Sequence, residues 1–131
     1  MAAEQSYPEG LLYHPEHDWV RLDGEQGTCG ITWFAQDSLG EVVFFDPPSV
    51  GTQLRKDEPY AEVESVKAVS DVIAPVSGEI IAVNDALADE PGAVNQDPYG
   101  EGWMVRVRLS DPSEGDSLLD REAYEQLVQE S

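Results

Sequence analysis

Lysine is nearly absent from this chain. Only Lys56 and Lys67 occur among 131 residues, and arginine raises the basic total to just seven. Against them stand 27 acidic residues, for a net charge of −20. So few cations exclude nucleic acid as a partner, because phosphates are held by Lys and Arg. They exclude anionic membrane surfaces for the same reason. The single cysteine, Cys29, leaves no internal disulfide and points to a reducing compartment. No apolar run nears the roughly 20 residues of a membrane span. The first residues have no basic-then-apolar order and no Arg-rich, acid-poor look, so neither a secretory signal nor a transit peptide is expected. A cytoplasmic location follows, or the mitochondrial matrix for a eukaryotic chain already processed.

Chemistry-bearing patterns are equally scarce. No Gly-rich phosphate loop and no Ser-His-Asp or Cys-His constellation is present, so the chain is not expected to be an enzyme. His14 and His17 stand three apart, with Pro15 between them and no third ligand, which does not make a metal site. Cys29 falls in a strand pattern and reads as a small buried apolar group.

What is present is enough for one folded domain over 1–131. A hydrophobic fraction of 40% is too high for disorder, and this length buries a modest core without disulfides. The acidic excess favours a soluble monomer. It also fits steering toward basic patches on partners, or simply solubility in a salty cytoplasm.

The organising stretch is Glu62-Val63-Glu64-Ser65-Val66-Lys67-Ala68-Val69-Ser70-Asp71-Val72-Ile73. Its β-branched residues read as two strands, Tyr60–Ser65 and Ala68–Ala74, joined by a tight turn. No Gly or Asn is there for a primed turn, so a type I turn centred on Val66-Lys67 is expected. That places the Lys67 ammonium in water at a hairpin tip. On residue type alone, two readings stand. One is a charge guarding an edge strand. The other is an amine on a flexible stem, offered for acylation.

Glu64-Ser65-Val66-Lys67-Ala68, then Ser70-Asp71 and Ala74-Pro75-Val76-Ser77-Gly78-Glu79-Ile80, closely resembles the lipoyl-attachment region of the glycine cleavage system H protein family. Gly30-Ile31-Thr32, Ala35-Gln36 and Leu39-Gly40 match that family too. So does Asn95-Gln96-Asp97-Pro98-Tyr99-Gly100-Glu101-Gly102-Trp103. The resemblance runs from about Leu11 to Val128. It implies a mainly β fold, a lipoyl/biotinyl-type barrel-sandwich hybrid of two small antiparallel sheets with short helices. It implies lipoate as an amide on Lys67. By the family's mechanism the arm takes an aminomethyl group from glycine decarboxylase and gives its carbon up through the aminomethyltransferase. Dihydrolipoamide dehydrogenase then reoxidises it, and a lipoate-attaching enzyme installs it. Glu64 and Gly78 are implied in recognition of the turn by that enzyme. The close approach expected at Gly78 is one that a Cβ would block. Asp18 and Asp71 are implied as the lining of a cleft for the cationic aminomethyl-lipoyl amine.

The chain departs from the family at four places. Asp18 replaces a Glu, Trp33 an acid, and Pro47 stands in a usual Leu-Pro pair. Ser38 replaces a His of some members and is given no role. A lipoate relay to 2-oxoacid dehydrogenases would carry the same lysine motif. A biotin carrier would flank the lysine with methionines, where Val66 and Ala68 stand here. An unmodified interaction protein would keep the fold and lack the adduct.

The remaining elements follow from local chemistry. Leu11–Leu22 reads as a first strand ended by Asp23-Gly24. Thr28–Ile31 reads as a second strand, and Thr32 and Gly40 as the caps of a two-turn helix. Glu41–Phe45 is the most apolar strand, ended by Pro47-Pro48. Met104–Leu109 alternates as a half-buried strand. A C-terminal helix over 118–129 is capped by Asp120, with Ala123, Tyr124, Leu127 and Val128 on one stripe and no functional residue in it. Residues 1–10 are expected as a flexible extension.

Overall fold

The structure is a computed structural model, and it describes residues 4–130. Its strands are β1 (Leu12–His14), β2 (Asp18–Asp23), β3 (Gln26–Ile31), β4 (Val42–Asp46), β5 (Gln53–Leu54), β6 (Pro59–Ser65), β7 (Val69–Ile73), β8 (Gly78–Val83) and β9 (Val105–Leu109). The helices are α1 (Trp33–Leu39), α2 (Ala86–Asp89), α3 (Ala93–Gln96) and α4 (Arg121–Gln129), with a 3₁₀ turn at Pro112–Ser117. Two antiparallel sheets face each other. One has six strands in the order β1-β2-β3-β9-β8-β5, the other three in the order β4-β6-β7. This is the expected mainly β sandwich, with the six-stranded sheet larger than foreseen.

Burial follows the strand period. Val63 and Val72 turn inward against Val20, Cys29, Ile80, Val105 and Val107, because successive side chains on a strand face opposite sides. Gly78 sits at the pairings with Leu54 and Leu109. A Cβ there would come within 2.1 Å of the Arg108 carbonyl oxygen, which is the close approach the sequence called for.

A second, aromatic core gathers Tyr7, Tyr13, Trp19, Tyr99 and Tyr124. The Trp19 indole N–H donates to the Pro98 carbonyl at 3.0 Å, and Gly30 leaves room for its ring. Tyr13 stacks on Tyr124 with centroids 4.6 Å apart.

Three expectations are corrected. The first strand breaks in two, because His17 takes a left-handed backbone (φ 75°) that no strand accommodates. Residues 4–10 are not a loose extension. Tyr7 is buried edge-on to Tyr124, the Tyr99 hydroxyl donates to the Ser6 carbonyl, and the Tyr13 hydroxyl donates to the Pro8 carbonyl. The part of that expectation on residues 1–3 lies outside the described residues. The last helix starts at Arg121 rather than 118, since Asp120 spends its carboxylate on the Ala123 N–H as N-cap. Before it, Leu119 pairs with Tyr13 as an isolated β-bridge.

Candidate functional site

The β6–β7 hairpin ends in three loop residues. Ser65 closes them: its N–H donates to the Ala68 carbonyl at 2.8 Å, and its Oγ accepts from the N–H groups of Ala68 (3.0 Å) and Lys67 (3.3 Å). The serine hydroxyl thus closes the turn from its side chain, and no primed-turn Gly or Asn is needed. The turn is also tied sideways, since the Val66 N–H donates to the Glu41 carbonyl. The backbone under Lys67 is therefore fixed while Lys67 itself is exposed.

Helix α1 stands beside this tip. Thr32 caps it by accepting from the Ala35 N–H, and Gly40 ends it at φ 83°, a conformation that favours glycine. A Cβ on Gly40 would lie 3.5 Å from Lys67 Cε, so the lysine stem passes over the end of the helix. Asn95 anchors that end. Its Nδ2 donates to Gln36 Oε1 and the Gly40 carbonyl, and its Oδ1 accepts from the Val42 N–H. The turn-rich stretch from Asn95 to Trp103 thereby sets where α1 and β4 meet the lysine.

Between α1, the His17 turn and β7 runs a cleft of about 320 Å³, lined among others by His17, Asp18, Phe34, Ser38, Ser70 and Asp71. Ala68 and Val69, the next residues after Lys67, also line it. Asp18 is 2% exposed. Its Oδ1 accepts the Ile73 N–H at 3.3 Å, and Oδ2 has no hydrogen-bond partner among the described residues. Burial pushes its carboxyl well above the ordinary carboxylate range. A buried carboxylate oxygen left unpaired is costly, and a cation or donor entering the cleft would remove that cost. A wider cleft on the other side of α1 is lined by Gln36 and Asn95. Their side-chain amides already bond to protein, so it carries no comparable demand.

The structure brings Lys67, Asp18 and Asp71 to one region. Asp18 is inside the cleft and Asp71 is exposed at its edge. Glu64 lies on the outer face of the three-stranded sheet, between Phe44 and Val69 in register. Gly78 lies on β8 and is held by packing against Arg108. The two histidines go separate ways: His14 Nε2 meets Asp57 Oδ1 at 2.6 Å, and His17 Nδ1 meets the Tyr124 hydroxyl at 2.8 Å. Among the described residues no cluster of three or more His, Cys, Asp or Glu is placed to hold a metal. Ser38 lines the cleft, and Trp33 packs on the aromatic core.

Sequence reasoning missed the surface around the lysine. Val43, Phe44, Val66 and Val69 are 47–75% exposed, and they belong to the strands and the turn that carry Lys67. Beside them the carboxylates of Asp46, Glu62 and Asp71 share one register across β4, β6 and β7. The signal was present in the alternation of β6, where Glu62 and Glu64 mark the outer face.

Comparison with known proteins agrees with the geometry. The family model described as "Glycine cleavage H-protein" matches residues 11–131. A glycine cleavage system H protein of Halorhodospira halophila is 55% identical over 122 residues, covering 92% of this chain and 94% of that one. One from Symbiobacterium thermophilum is 50% identical over 123 residues, 94% and 96% of the two chains. The crystal structure of a glycine cleavage system H protein from Mycobacterium marinum superposes with a TM-score of 0.86 at 36% identity, over 94% of this chain and 99% of that one.

Proposed function

The chain belongs to the glycine cleavage H-protein family, the carrier component of that system, and from this premise we propose that it works as a lipoyl carrier with Lys67 as the attachment site. The observation that supports this most is an exposed amine on a turn whose backbone is tied down by Ser65 and Glu41. The residues fit the group: a lysine tip, an adjoining cleft, and a buried carboxylate oxygen in want of a partner.

Attached to Lys67, the lipoyl group would supply the disulfide on which the aminomethyl unit of glycine is carried between glycine decarboxylase, the aminomethyltransferase and dihydrolipoamide dehydrogenase. The protein's own residues do the holding. Asp71 supplies negative charge for a cationic amine at the end of the arm, and Asp18, whose burial disfavours its charge while it stands unpaired, ionises as that amine arrives to pair with it. Phe34, Val63 and Leu39 line the same cleft and keep water from that amine. Glu64, beside the turn, is read by the lipoate-attaching enzyme. Gly78 serves that recognition only by keeping the sheet behind the hairpin in shape. Tethering replaces free diffusion between three enzymes with encounters at raised effective concentration. The exposed apolar residues around Lys67 offer those enzymes a contact, and the acidic excess steers it. The protein acts as a monomer in the cytoplasm.

Reconstitution tests this reading. The lipoylated chain should support glycine-dependent exchange of bicarbonate with glycine decarboxylase. Lipoate transfer to a 2-oxoacid dehydrogenase without that exchange would favour the relay reading instead.

A further inference from the structure

The cleft wall formed by His17 is controlled from the far end of the sequence. Tyr124, on α4, is fully buried. Its hydroxyl lies 2.8 Å from His17 Nδ1 and 2.7 Å from Thr32 Oγ1. Thr32 is fully buried as well and caps α1, the opposite wall of the cleft. The Thr32 N–H also donates to the His17 carbonyl at 3.1 Å. Three elements remote in sequence thus meet at one phenol.

Counting protons fixes the direction of this chain. Thr32 Oγ1 accepts from the Ala35 N–H, which cannot take a proton in return. Among the described residues, the hydrogen of the Thr32 hydroxyl therefore has only the Tyr124 oxygen to go to. Tyr124 then directs its own hydrogen to His17 Nδ1, which must be unprotonated to accept it. The reverse order would leave a buried Thr32 donor with no acceptor, at the full cost of its desolvation. With Nδ1 accepting, neutral His17 carries its proton on Nε2. That nitrogen has no hydrogen-bond partner among the described residues, and His17 lines the cleft.

We propose that Thr32 and Tyr124 are positioning residues that hold His17 neutral, with its Nε2–H presented to the cleft as an uncharged donor for the lipoyl arm. The proposal deepens the carrier reading and rests on it. Its logic is electrostatic. A cleft that takes a cationic amine between Asp18 and Asp71 must not contain an imidazolium, whose charge would repel the same amine. A neutral imidazole adds a donor for an acceptor atom of the arm without that repulsion. Protonating His17 would turn Nδ1 into a donor facing the donating Tyr124 hydroxyl, so the relay itself opposes the charge. Burial decides the sign, and the two neighbouring charges oppose each other. Burial and the neighbouring His14 both hold the imidazole below its usual value, and only Glu16 pulls the other way. The left-handed backbone of His17 (φ 75°) is the local cost of aiming the ring this way. Phe34 packs on the ring at 4.4 Å and keeps it in place.

The test is long-range ¹H–¹⁵N correlation of the imidazoles in the full unmodified chain at neutral pH, with Tyr124→Phe beside wild type. Phe keeps the stack on Tyr13 and loses only the hydroxyl. Wild type should show His17 with a bare Nδ1 and a protonated Nε2. Tyr124→Phe should mix the tautomers and move the His17 titration upward. In the lipoylated chain the same substitution should speed the loss of bound amine several-fold. A protonated Nδ1 in wild type overturns the proposal, and so does a His17 signature that Tyr124→Phe leaves unchanged. The signature is read without the arm, so failure of the proton assignment is distinct from failure of Lys67 to carry lipoate.

Discussion

Asp18 and Ile73 lie on different sheets and are joined by one hydrogen bond, from the Ile73 N–H to Asp18 Oδ1 at 3.3 Å. The bond stitches the first strands to the end of the lysine hairpin. It uses one carboxylate oxygen and leaves the other buried without a partner among the described residues.

A stability cost follows, with a definite sign. Burial raises the Asp18 carboxyl above its usual 3.8. The folded state therefore binds the proton more tightly than the unfolded chain, and its stability falls as pH rises from about 4 through the raised value. Asp18→Asn removes that dependence. Thermal unfolding should show the variant more stable than wild type by about 2 kcal/mol near pH 8, with the difference vanishing near pH 4. A variant less stable than wild type at pH 8 would mean that Asp18 is already paired.

Asp71 is at the exposed edge of the same cleft and faces water. Its contribution should be kinetic and small. Asp71→Ala is expected to speed the decay of amine-loaded carrier roughly two- to fivefold, the scale of an exposed charge contact. Thermal stability should not move. Equal decay rates would remove Asp71 from the cleft's work.

Gly78 is a steric position. With the Arg108 carbonyl oxygen 2.1 Å from where a Cβ would sit, Gly78→Ala must push β8 away from β9. Denaturant unfolding should show a loss of about 3 kcal/mol. Any fall in lipoylation should track that loss and recover where the variant is fully folded.

Phe44 is 49% exposed beside Glu64 and the lysine turn. Phe44→Ala should leave the unfolding midpoint nearly unchanged. It should raise the apparent KM of a partner enzyme for the carrier roughly fivefold or more, as loss of an aromatic anchor does. An unchanged KM would place the docking surface elsewhere.

The lysine hairpin, both caps of α1 and the Asp120 cap were legible because each rests on local chemistry: β-branched runs, a threonine before a helix, a glycine after it. The six-stranded sheet was less so, since β5 is only two residues long and takes its place by pairing with β8. The break at His17 has no glycine to announce it. Tyr124 looked like one more apolar residue on a helix stripe, and its hydroxyl acquires meaning only when the His17 turn, the start of α1 and α4 meet. Asp18 was named for its charge, and nothing in sequence said that one of its oxygens would be buried and bare. Tyr7 could not be told from a residue in a loose tail until Tyr124 and Tyr13 were in place to receive it.

On the proposed carrier role, Lys67, of the two lysines, is the one presented for acylation. Lys56 lies beside Asp57, with its ammonium 3.3 Å from Oδ1, and the Lys67 stem lies over Gly40 on an anchored turn. Intact-mass measurement with peptide mapping, on protein from a host that makes lipoate, addresses it directly. The predicted result is a single lipoyl amide on Lys67 and none on Lys56. An unmodified chain after exposure to a lipoate-attaching enzyme, or an adduct on Lys56, would contradict it.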